Sequence, residues 1–280
     1  MGFLLLLILA GCGRNRFDYI DIAASEKMLE ALETGFASVP DSVAGGRTDY
    51  LLSQGVPVAD VIVYPGESGV VSRIPDVPYG FLWETIDKET LLNSLHVRSS
   101  RLYTDDGRNA RILYVEGGKM SLAELNKIAE LAAGGAFIGG TMPSACLDPA
   151  DEAVFQRTAE KVSLSGNVMT GKTIRSILKA AGVKPDVKTK VDSLVFEHRH
   201  LSDAEIYRIQ NAGTHSGKTK VRFRVRGRRP YQWNPDTGEI LPVSYKLKKR
   251  STKVTFYTVP GDDTFIVFAS FADKKKMKVK

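Results

Sequence analysis

Apolar and polar residues alternate with two different periods along this chain, and the change of period predicts two domains. In the first part, short apolar runs such as Val58–Tyr64 are separated by segments with apolar residues every three or four positions. This pattern is typical of buried parallel strands that are joined by helices. After residue 166, short alternating strands follow one another between turn residues, which indicates an antiparallel sandwich. We therefore predict a parallel α/β domain over residues 46–165 and an antiparallel β-sandwich domain over residues 166–280.

Two helices can be predicted in detail from the spacing of their apolar residues. Residues 13–45 are predicted as a helical linker, whose apolar residues at helical spacing are Met28, Leu29, Leu32 and Phe36. A second helix begins after Ser121, a favourable N-cap residue, and Glu124 stands at the position that completes a capping box. The apolar face of this second helix is predicted to comprise Leu122, Leu125, Ile128, Ala129 and Ala132.

The N-terminus has the pattern of a bacterial lipoprotein signal. The stretch MGFLLLLILAGC contains an apolar run that is too short to span a bilayer, and it ends in small residues before Cys12. In lipoproteins, a cysteine at this position becomes the new N-terminus and receives the lipid. We therefore predict a signal peptide over residues 1–12, a lipid on Cys12 that anchors the protein in a membrane, and a location in the bacterial periplasm or at the cell surface. No Lys or Arg precedes the apolar run, and the alternative is a spurious start on a truncated gene.

The two cysteines of the chain are too few for a disulfide framework. Cys146 follows a predicted strand in the segment GGTMPSAC, where some α/β folds carry a nucleophile. The segment lacks the Gly-x-Ser/Cys-x-Gly spacing that a strained nucleophile elbow needs. We therefore interpret Cys146 as a structural thiol.

Net charge is +7, and the basic excess lies in the second half of the chain. Residues 197–280 contain 19 Lys and Arg against 8 Asp and Glu, whereas residues 1–196 contain 20 against 24. Such an asymmetry can indicate a nucleic-acid partner. Much of the excess, however, lies in Lys220–Arg226, where basic and apolar residues alternate as they do on a strand with one solvated face. Because no nucleic-acid motif accompanies this segment, we predict no nucleic-acid partner.

Three side chains are candidates for contact with a carbohydrate. Glu67 lies in the Pro65–Ser68 turn at the carboxyl end of a predicted parallel strand, where open α/β sheets bind their ligands. Tyr231 and Trp233 lie in the hairpin PYQWNPDTGEILPV, where an aromatic face beside a polar turn can stack on a sugar ring. The alternatives are a solvated loop acid for Glu67, and aromatic residues that close the sandwich core for Tyr231 and Trp233.

The stretch EHRHLSDAEIYRIQN places two histidines around an arginine. His198 and His200 are two positions apart, so on a strand they lie on one face, with Arg199 on the other. A zinc site needs three or four converging ligands, and no other residue here has ligand spacing. We therefore predict a structural strand end without a metal, and we expect Arg199 to pair with a carboxylate such as Asp203.

Five segments of the chain, read in order, carry a resemblance to a known family. They are GRTDYLLSQGVPVADVIVYPGES, PYGFLWETIDKETLLN, RILYVEGGKMSLAELNKIAELAAGGAFIGGTMP, FEHRHLSDAEIYRIQN and VRFRVRGRRPYQWNPDTGEILPV. This succession, from about Gly46 to about Phe268, resembles the C-terminal part of the α-L-rhamnosidases of glycoside hydrolase family 106. The resemblance implies that the α/β domain is amidotransferase-like. It also implies a structural strand signature of His198, Arg199, Asp203, Ile206, Tyr207 and Asn211, and a shaped hairpin of Trp233, Pro235, Gly238 and Glu239.

The resemblance also indicates what this chain does. Enzymes of the family are inverting hydrolases, and their two catalytic carboxylates and calcium ion lie in a (β/α)₈ barrel that precedes the matching segments. The resemblance therefore implies no catalytic residue, no calcium ligand and no cofactor in this chain. Our first hypothesis is the non-catalytic C-terminal portion of an α-L-rhamnosidase-like glycosidase that acts on rhamnose-containing plant or bacterial polysaccharide. The alternative is a stand-alone carbohydrate-binding or scaffolding lipoprotein, and a third hypothesis is an independent enzyme that uses Glu67 and Asp87.

Overall fold

A computed structural model describes residues 22–43, 45–66 and 76–269 of the chain. Its α-helices are α1 (Ile22–Ser38), α2 (Gly46–Ser53), α3 (Leu122–Ala133), α4 (Glu152–Ser163) and α5 (Ile174–Ala180). The strands of the first half are β1 (Val56–Pro57), β2 (Val61–Tyr64), β3 (Trp83–Thr85), β4 (His96–Arg98), β5 (Arg101–Tyr103), β6 (Asn109–Ala110), β7 (Ile112–Val115), β8 (Lys119–Met120), β9 (Phe137–Gly140) and β10 (Ala145–Cys146). The strands of the second half are β11 (Val168–Thr170), β12 (Val187–Lys188), β13 (Leu194–His200), β14 (Ala204–Asn211), β15 (Gly217–Phe223), β16 (Arg229–Trp233), β17 (Ile240–Pro242), β18 (Ser244–Lys248), β19 (Ser251–Thr258) and β20 (Asp263–Ala269).

Five short strands form a wholly parallel sheet in the order β11-β9-β7-β2-β3. Helices α3 and α4 pack on one face of this sheet, through a core that includes Leu113, Ile128 and Phe155. Helix α5 covers the other face through Ile177 and its neighbours. Strand β2 is buried along its whole length. Strands that are buried on both faces have continuous apolar runs, which is why the sequence pattern predicts this sheet.

Helix α3 begins with the predicted capping box. The Ser121 side chain accepts a hydrogen bond from the Glu124 N–H, and the Glu124 side chain accepts one from the Ser121 N–H. The Glu124 carboxylate is fully buried, accepts a hydrogen bond from the Tyr64 hydroxyl, and lies 3.3 Å from Lys88 Nζ. The cap therefore also fastens the first turn of α3 to strand β2.

Two antiparallel sheets form the sandwich. The six-stranded sheet has the order β1-β13-β14-β20-β16-β17, and the four-stranded sheet has the order β12-β15-β19-β18. Side chains from both sheets, among them Tyr207, Phe223, Val254 and Phe268, form one core between them. Together with the parallel sheet, this arrangement confirms the predicted α/β plus β fold class.

Each half of the chain contributes elements to the sheets of the other half. Strand β1 pairs with β13 of the six-stranded sheet, and helices α1 and α2 pack on that sheet through a cluster that includes Phe36 and Leu51. Conversely, β11 and α5 follow residue 166 but complete the parallel sheet. Helix α1 is therefore more than a linker, because its apolar stripe is buried against the sandwich.

Candidate functional site

A group of buried charged side chains lies between the parallel sheet and the sandwich, and Asp186 is at its centre. The Asp186 N–H donates to the Gly80 carbonyl at 2.7 Å, and the Asp186 carbonyl accepts from the Arg224 N–H at 2.8 Å. Gly80 has a φ of +92°, and a Cβ there would lie 2.3 Å from the Val187 carbonyl oxygen. Only glycine fits this close approach. These backbone contacts fix the position of the Asp186 carboxylate.

The Asp186 carboxylate is fully buried and contacts three side chains. His198 Nδ1 lies 2.9 Å from its Oδ2, while its Oδ1 accepts from the Tyr207 hydroxyl at 3.1 Å and from Arg224 Nε at 3.2 Å. Arg224 Nη2 also donates to Asp60 Oδ1 at 2.7 Å. Because Asp60 is buried directly before strand β2, Arg224 joins a carboxylate of the parallel domain to a carboxylate beside the sandwich.

The network continues from His198 towards the surface through Glu205. His198 Nε2 and His200 Nδ1 lie 3.0 Å and 2.9 Å from Glu205 Oε2, and Arg228 Nη1 donates to Oε1 at 2.8 Å. The His198 ring stacks on the Tyr207 ring, with centroids 3.9 Å apart. Since one carboxylate oxygen contacts both histidines, the predicted common face of His198 and His200 is confirmed.

Burial opposes the charges of Asp60, Asp186, His198, Glu205 and Arg224, and the partners decide the direction of the pKa shift in all of these except Asp60. Burial lowers the pKa of His198, but the carboxylates of Asp186 and Glu205 outweigh it and raise that pKa to about 9. Burial raises the pKa of Glu205, but hydrogen bonds from the two histidines bring that pKa down to about 2. Asp60 differs, because burial outweighs the attraction of Arg224 and raises its pKa. His198 is therefore a cation and Glu205 an anion in the neutral range.

The arrangement of these groups suits an ion network and does not suit a catalytic relay. Both ring nitrogens of His198 are engaged by carboxylates, so neither is free to exchange a proton with a substrate. Three carboxylates are matched by three cations, His198, Arg224 and Arg228. Buried charges persist in folded proteins when they are paired in this way. The network therefore holds the two parts of the molecule together.

These pKa shifts predict how stability depends on pH. The unfolded chain titrates His198 near 6.5, so the contribution of His198 to stability is complete below that pH and is lost as the pH rises towards about 9. The contribution of Glu205 is complete above 4.5 and is lost as the pH falls towards about 2. We expect the free energy of unfolding, measured by urea denaturation, to fall by up to about 3 kcal/mol on the alkaline side.

Two variants, His198→Gln and His200→Gln, distinguish the contribution of His198 to this pH dependence from the contributions of the other titrating groups. His200→Gln is the matched control, because it removes a histidine ring that contacts Glu205 but not Asp186 and whose side chain is 44% exposed. The comparison covers pH 6.5 to 9. His198→Gln is expected to show a flatter decline over that interval. Equal slopes in all three proteins would contradict the role assigned to His198.

Arg199 contacts backbone carbonyls and no described carboxylate, so its predicted pairing with Asp203 is wrong. Its Nε donates to the Gln54 carbonyl at 2.6 Å, and its Nη2 donates to the Gly55 carbonyl at 2.8 Å. Strand β1 pairs with β13 so that Pro57 lies opposite Arg199, and this register brings the end of helix α2 within reach. Carbonyls at and beyond a helix C-terminus lack hydrogen-bond donors within the helix. The Arg199 guanidinium donates to two of them. Arg199 thereby fastens α2 to the six-stranded sheet.

A second arginine fastens α2 to the turn after strand β16. Arg47 Nη1 donates to the carbonyls of Pro235 and Asp236 at 3.3 Å and 3.5 Å, and Arg47 Nη2 pairs with Asp41. Gly238 in the same turn has a φ of +73°, and a Cβ there would lie 3.1 Å from the guanidinium carbon of Arg47. The turn therefore fits closely against Arg47, with a shape that depends on glycine.

The three predicted carbohydrate contacts lie in different surroundings. Trp233 has no exposed surface and packs against Phe36 with ring centroids 5.0 Å apart. A side chain without exposed surface cannot stack on a sugar, and Trp233 is buried between the six-stranded sheet and helix α1 instead of closing the core between the two sheets. Tyr231 packs beside the same cluster but is only partly buried. Glu67 lies outside the described residues, and carbohydrate contact by Glu67 or Tyr231 stays a prediction.

The two cysteines lie far apart in the chain, and the structure describes one of them. Cys12 and the predicted signal peptide lie outside the described residues, so lipidation and a location at a membrane stay predictions. Where the structure describes the chain, no helix is both long enough and apolar enough to cross a membrane. Cys146 is buried in β10, and its N–H donates to Glu152 at 2.8 Å.

The described residues contain no group of three or more His, Cys, Asp or Glu side chains that could hold a metal ion. The histidines and carboxylates of the buried network contact one another in a chain from Asp186 to Glu205 and do not converge on one point. The family resemblance places calcium in a preceding barrel, and the absence of calcium ligands from this chain stays a prediction.

Sequence reasoning missed the residues at the centre of the network. Asp60 stands in the apolar run VADVIVY, and a carboxylate beside a buried strand needs a partner, so this signal could have identified it. Alternation predicts that Arg224 faces solvent, but strand β15 ends at Phe223 and the following backbone turns inward to Asp186. Asp186 has no sequence signal, because only the fold brings its partners together.

Comparison with known proteins finds relatives of this fold. A sequence model of the family described as alpha-L-rhamnosidase, glycoside hydrolase family 106, matches residues 43–247. A protein of Formosa agariphila with the provisional name beta-glucuronidase is 31% identical over 248 residues, which are 83% of this chain and 21% of that protein. The solved structure of a rhamnosidase from Novosphingobium sp. PP1Y is 26% identical with a TM-score of 0.74, over 84% of this chain and 24% of that one. The chain therefore spans less than a quarter of the length of either relative.

Proposed function

This chain belongs to glycoside hydrolase family 106, the family described as alpha-L-rhamnosidase, and from that premise we propose that it is the non-catalytic accessory portion of an α-L-rhamnosidase-like glycosidase. In this proposal, an amidotransferase-like parallel domain and the β-sandwich form one rigid support for a catalytic part of the enzyme. The substrate class is a rhamnose-containing polysaccharide of plants or bacteria.

One observation carries the proposal: charged side chains of the segments that resemble the family contact other parts of the same chain. Asp60, His198 and Arg224 belong to the buried network, while Arg47 and Arg199 donate to backbone carbonyls. Glycoside hydrolysis with inversion needs two carboxylates on opposite sides of the scissile bond, with room for a water molecule. The charged side chains of these segments therefore stabilise the fold of the chain itself, which is the role expected of a supporting region.

The similarity to rhamnosidases supports the assignment of this chain to a glycosidase. The rhamnosidase structure matches most of this chain with less than a quarter of its own length, which is what an accessory region of a longer enzyme predicts. The amidotransferase-like assignment is supported by a parallel sheet with helices on both faces. Asp87, the second carboxylate of the independent-enzyme hypothesis, accepts a hydrogen bond from the Thr90 N–H at 2.8 Å, and so has a structural use.

The test is hydrolysis of an aryl α-L-rhamnoside by the purified 280-residue chain. We expect no release of the aryl group above the buffer rate, because the proposal assigns the acid and the base to another part of the enzyme. A complete rhamnosidase assayed beside it controls for substrate quality. Turnover that survives repurification and disappears in Glu67→Gln would overturn the proposal and favour the independent enzyme.

A further inference from the structure

The outer face of the four-stranded sheet carries basic and neutral side chains but no acidic ones. Thr252, Val254, Phe256 and Thr258 of β19 are buried on the inner side, so Lys253, Thr255 and Tyr257 between them point outward. The same alternation in β15 directs Lys218 and Lys220 outward. No strand residue directed to this face of β12, β15, β18 or β19 is Asp or Glu. The face is therefore positively charged over its whole width.

Four cations on this face lie side by side in one line across the sheet. Lys188 is opposite Arg222, Arg222 is opposite Lys253, and Lys253 is opposite Lys246. We name these four residues the cationic row. Like charges directly opposite one another destabilise a sheet. None of the four has an ion-pair partner among the described residues, so contacts within the described chain do not offset this repulsion.

The six-stranded sheet pairs a partly exposed cation with carboxylates. Arg208 of β14 pairs with Glu197 of β13 at 2.9 Å and with Asp263 of β20 at 2.7 Å. Cross-strand carboxylates thus neutralise Arg208, whose side chain is 24% exposed. Exposure of one face to solvent is enough to explain why basic and apolar residues alternate along β15. It does not explain why four separate strands each place a cation in the same row.

We propose that the cationic row binds an acidic polysaccharide whose sugar units carry carboxylate or sulfate groups. Neighbouring strands lie about 4.8 Å apart, so the row presents evenly spaced charges that fit a polymer with regularly repeated anions. Tyr257 lies on the same face, opposite Lys218, and is 58% exposed, which offers an aromatic surface to a sugar ring. The choice of a carbohydrate rests on the proposed function, because charge alone also fits nucleic acid and anionic lipid.

The experiment compares two variants that lose the same charge. The row variant carries Lys188→Gln, Arg222→Gln, Lys246→Gln and Lys253→Gln. The control variant carries Lys161→Gln, Lys172→Gln, Arg175→Gln and Lys179→Gln, which are exposed positions on or near helices α4 and α5. Thermal melting checks that both variants fold, and removal of like-charge repulsion should leave the row variant at least as stable as the parent. Binding to polygalacturonate, dextran sulfate and neutral dextran is then measured by affinity electrophoresis.

We expect the wild type to bind the two anionic polymers but not neutral dextran, with binding lost as NaCl rises from about 0.05 M to about 0.5 M. The row variant should bind at least about tenfold more weakly, and the control variant within about twofold of the wild type. Tighter binding to polygalacturonate would indicate recognition of carboxylate groups, and tighter binding to dextran sulfate would indicate recognition of sulfate groups.

Three results would overturn the inference. They are no binding by the wild type at low salt, equal losses in both variants, and tighter binding to duplex DNA or phosphatidylserine vesicles that the row variant abolishes. The aryl rhamnoside assay uses an uncharged substrate, so its outcome tests the proposed function independently of the cationic row.

Discussion

Asp186→Ala is expected to lower the free energy of unfolding by about 3–5 kcal/mol, because it removes a buried carboxylate that two cations share. The Asp186 carboxylate is the contact shared by His198, Tyr207 and Arg224. Without it, the His198 and Arg224 charges keep one carboxylate each, and the Tyr207 hydroxyl loses its acceptor. Urea denaturation at neutral pH, with the midpoint and slope both fitted, measures the loss.

Two further variants make this prediction specific. Asp192→Ala removes the same group from an exposed position six residues away and is expected to change stability by under about 0.5 kcal/mol. Asp186→Asn keeps the shape and a hydrogen-bond acceptor but removes the charge, so an intermediate loss is expected. Losses of equal size in Asp186→Ala and Asp192→Ala would show that the network contributes little to stability.

Trp233→Ala is also expected to lower the free energy of unfolding by about 3–5 kcal/mol, through the cavity that it leaves. Trp233 is fully buried and contacts Phe36 of helix α1, so the loss should also weaken the packing of α1 on the sandwich. Its indole nitrogen has no hydrogen-bond partner among the described residues. Trp233→Phe should therefore cost less than Trp233→Ala, since only packing volume is lost.

The control for Trp233 is an aromatic residue of the same sandwich that remains in water. Tyr257 is 58% exposed, and Tyr257→Ala is expected to change stability by under about 1 kcal/mol. Thermal and urea unfolding of the three variants at one pH gives the comparison. If Trp233→Phe were as damaging as Trp233→Ala, the indole N–H would have a polar role, and the packing account would be wrong.

Periodicity and capping predicted the elements of this fold well, because both are local. The capping box of Ser121 and Glu124 formed as its spacing required, and the apolar run of β2 became a buried strand of a parallel sheet. The shared face of His198 and His200 followed from the two-residue repeat of a strand. Each of these statements depends on residues within a few positions of one another.

Contacts between distant segments could not be predicted in the same way. Arg199 found carbonyls of residues 54 and 55 because β1 pairs with β13, and nothing within either segment encodes that pairing. Arg224 and Asp60 are 164 positions apart. The cationic row is a similar case: alternation places Arg222 outward, but only the register of four strands aligns it with the other three cations.

The exchange of elements between the two halves has an evolutionary consequence. Strand β1 lies in the six-stranded sheet, whereas β11 and α5 lie in or on the parallel sheet, so no single crossover in the gene could separate the sheets intact. A recombination event at the 165/166 boundary would deprive one product of an edge strand and the other of a helix and a strand. We therefore expect these two domains to be inherited as one unit, and to occur together wherever either is found.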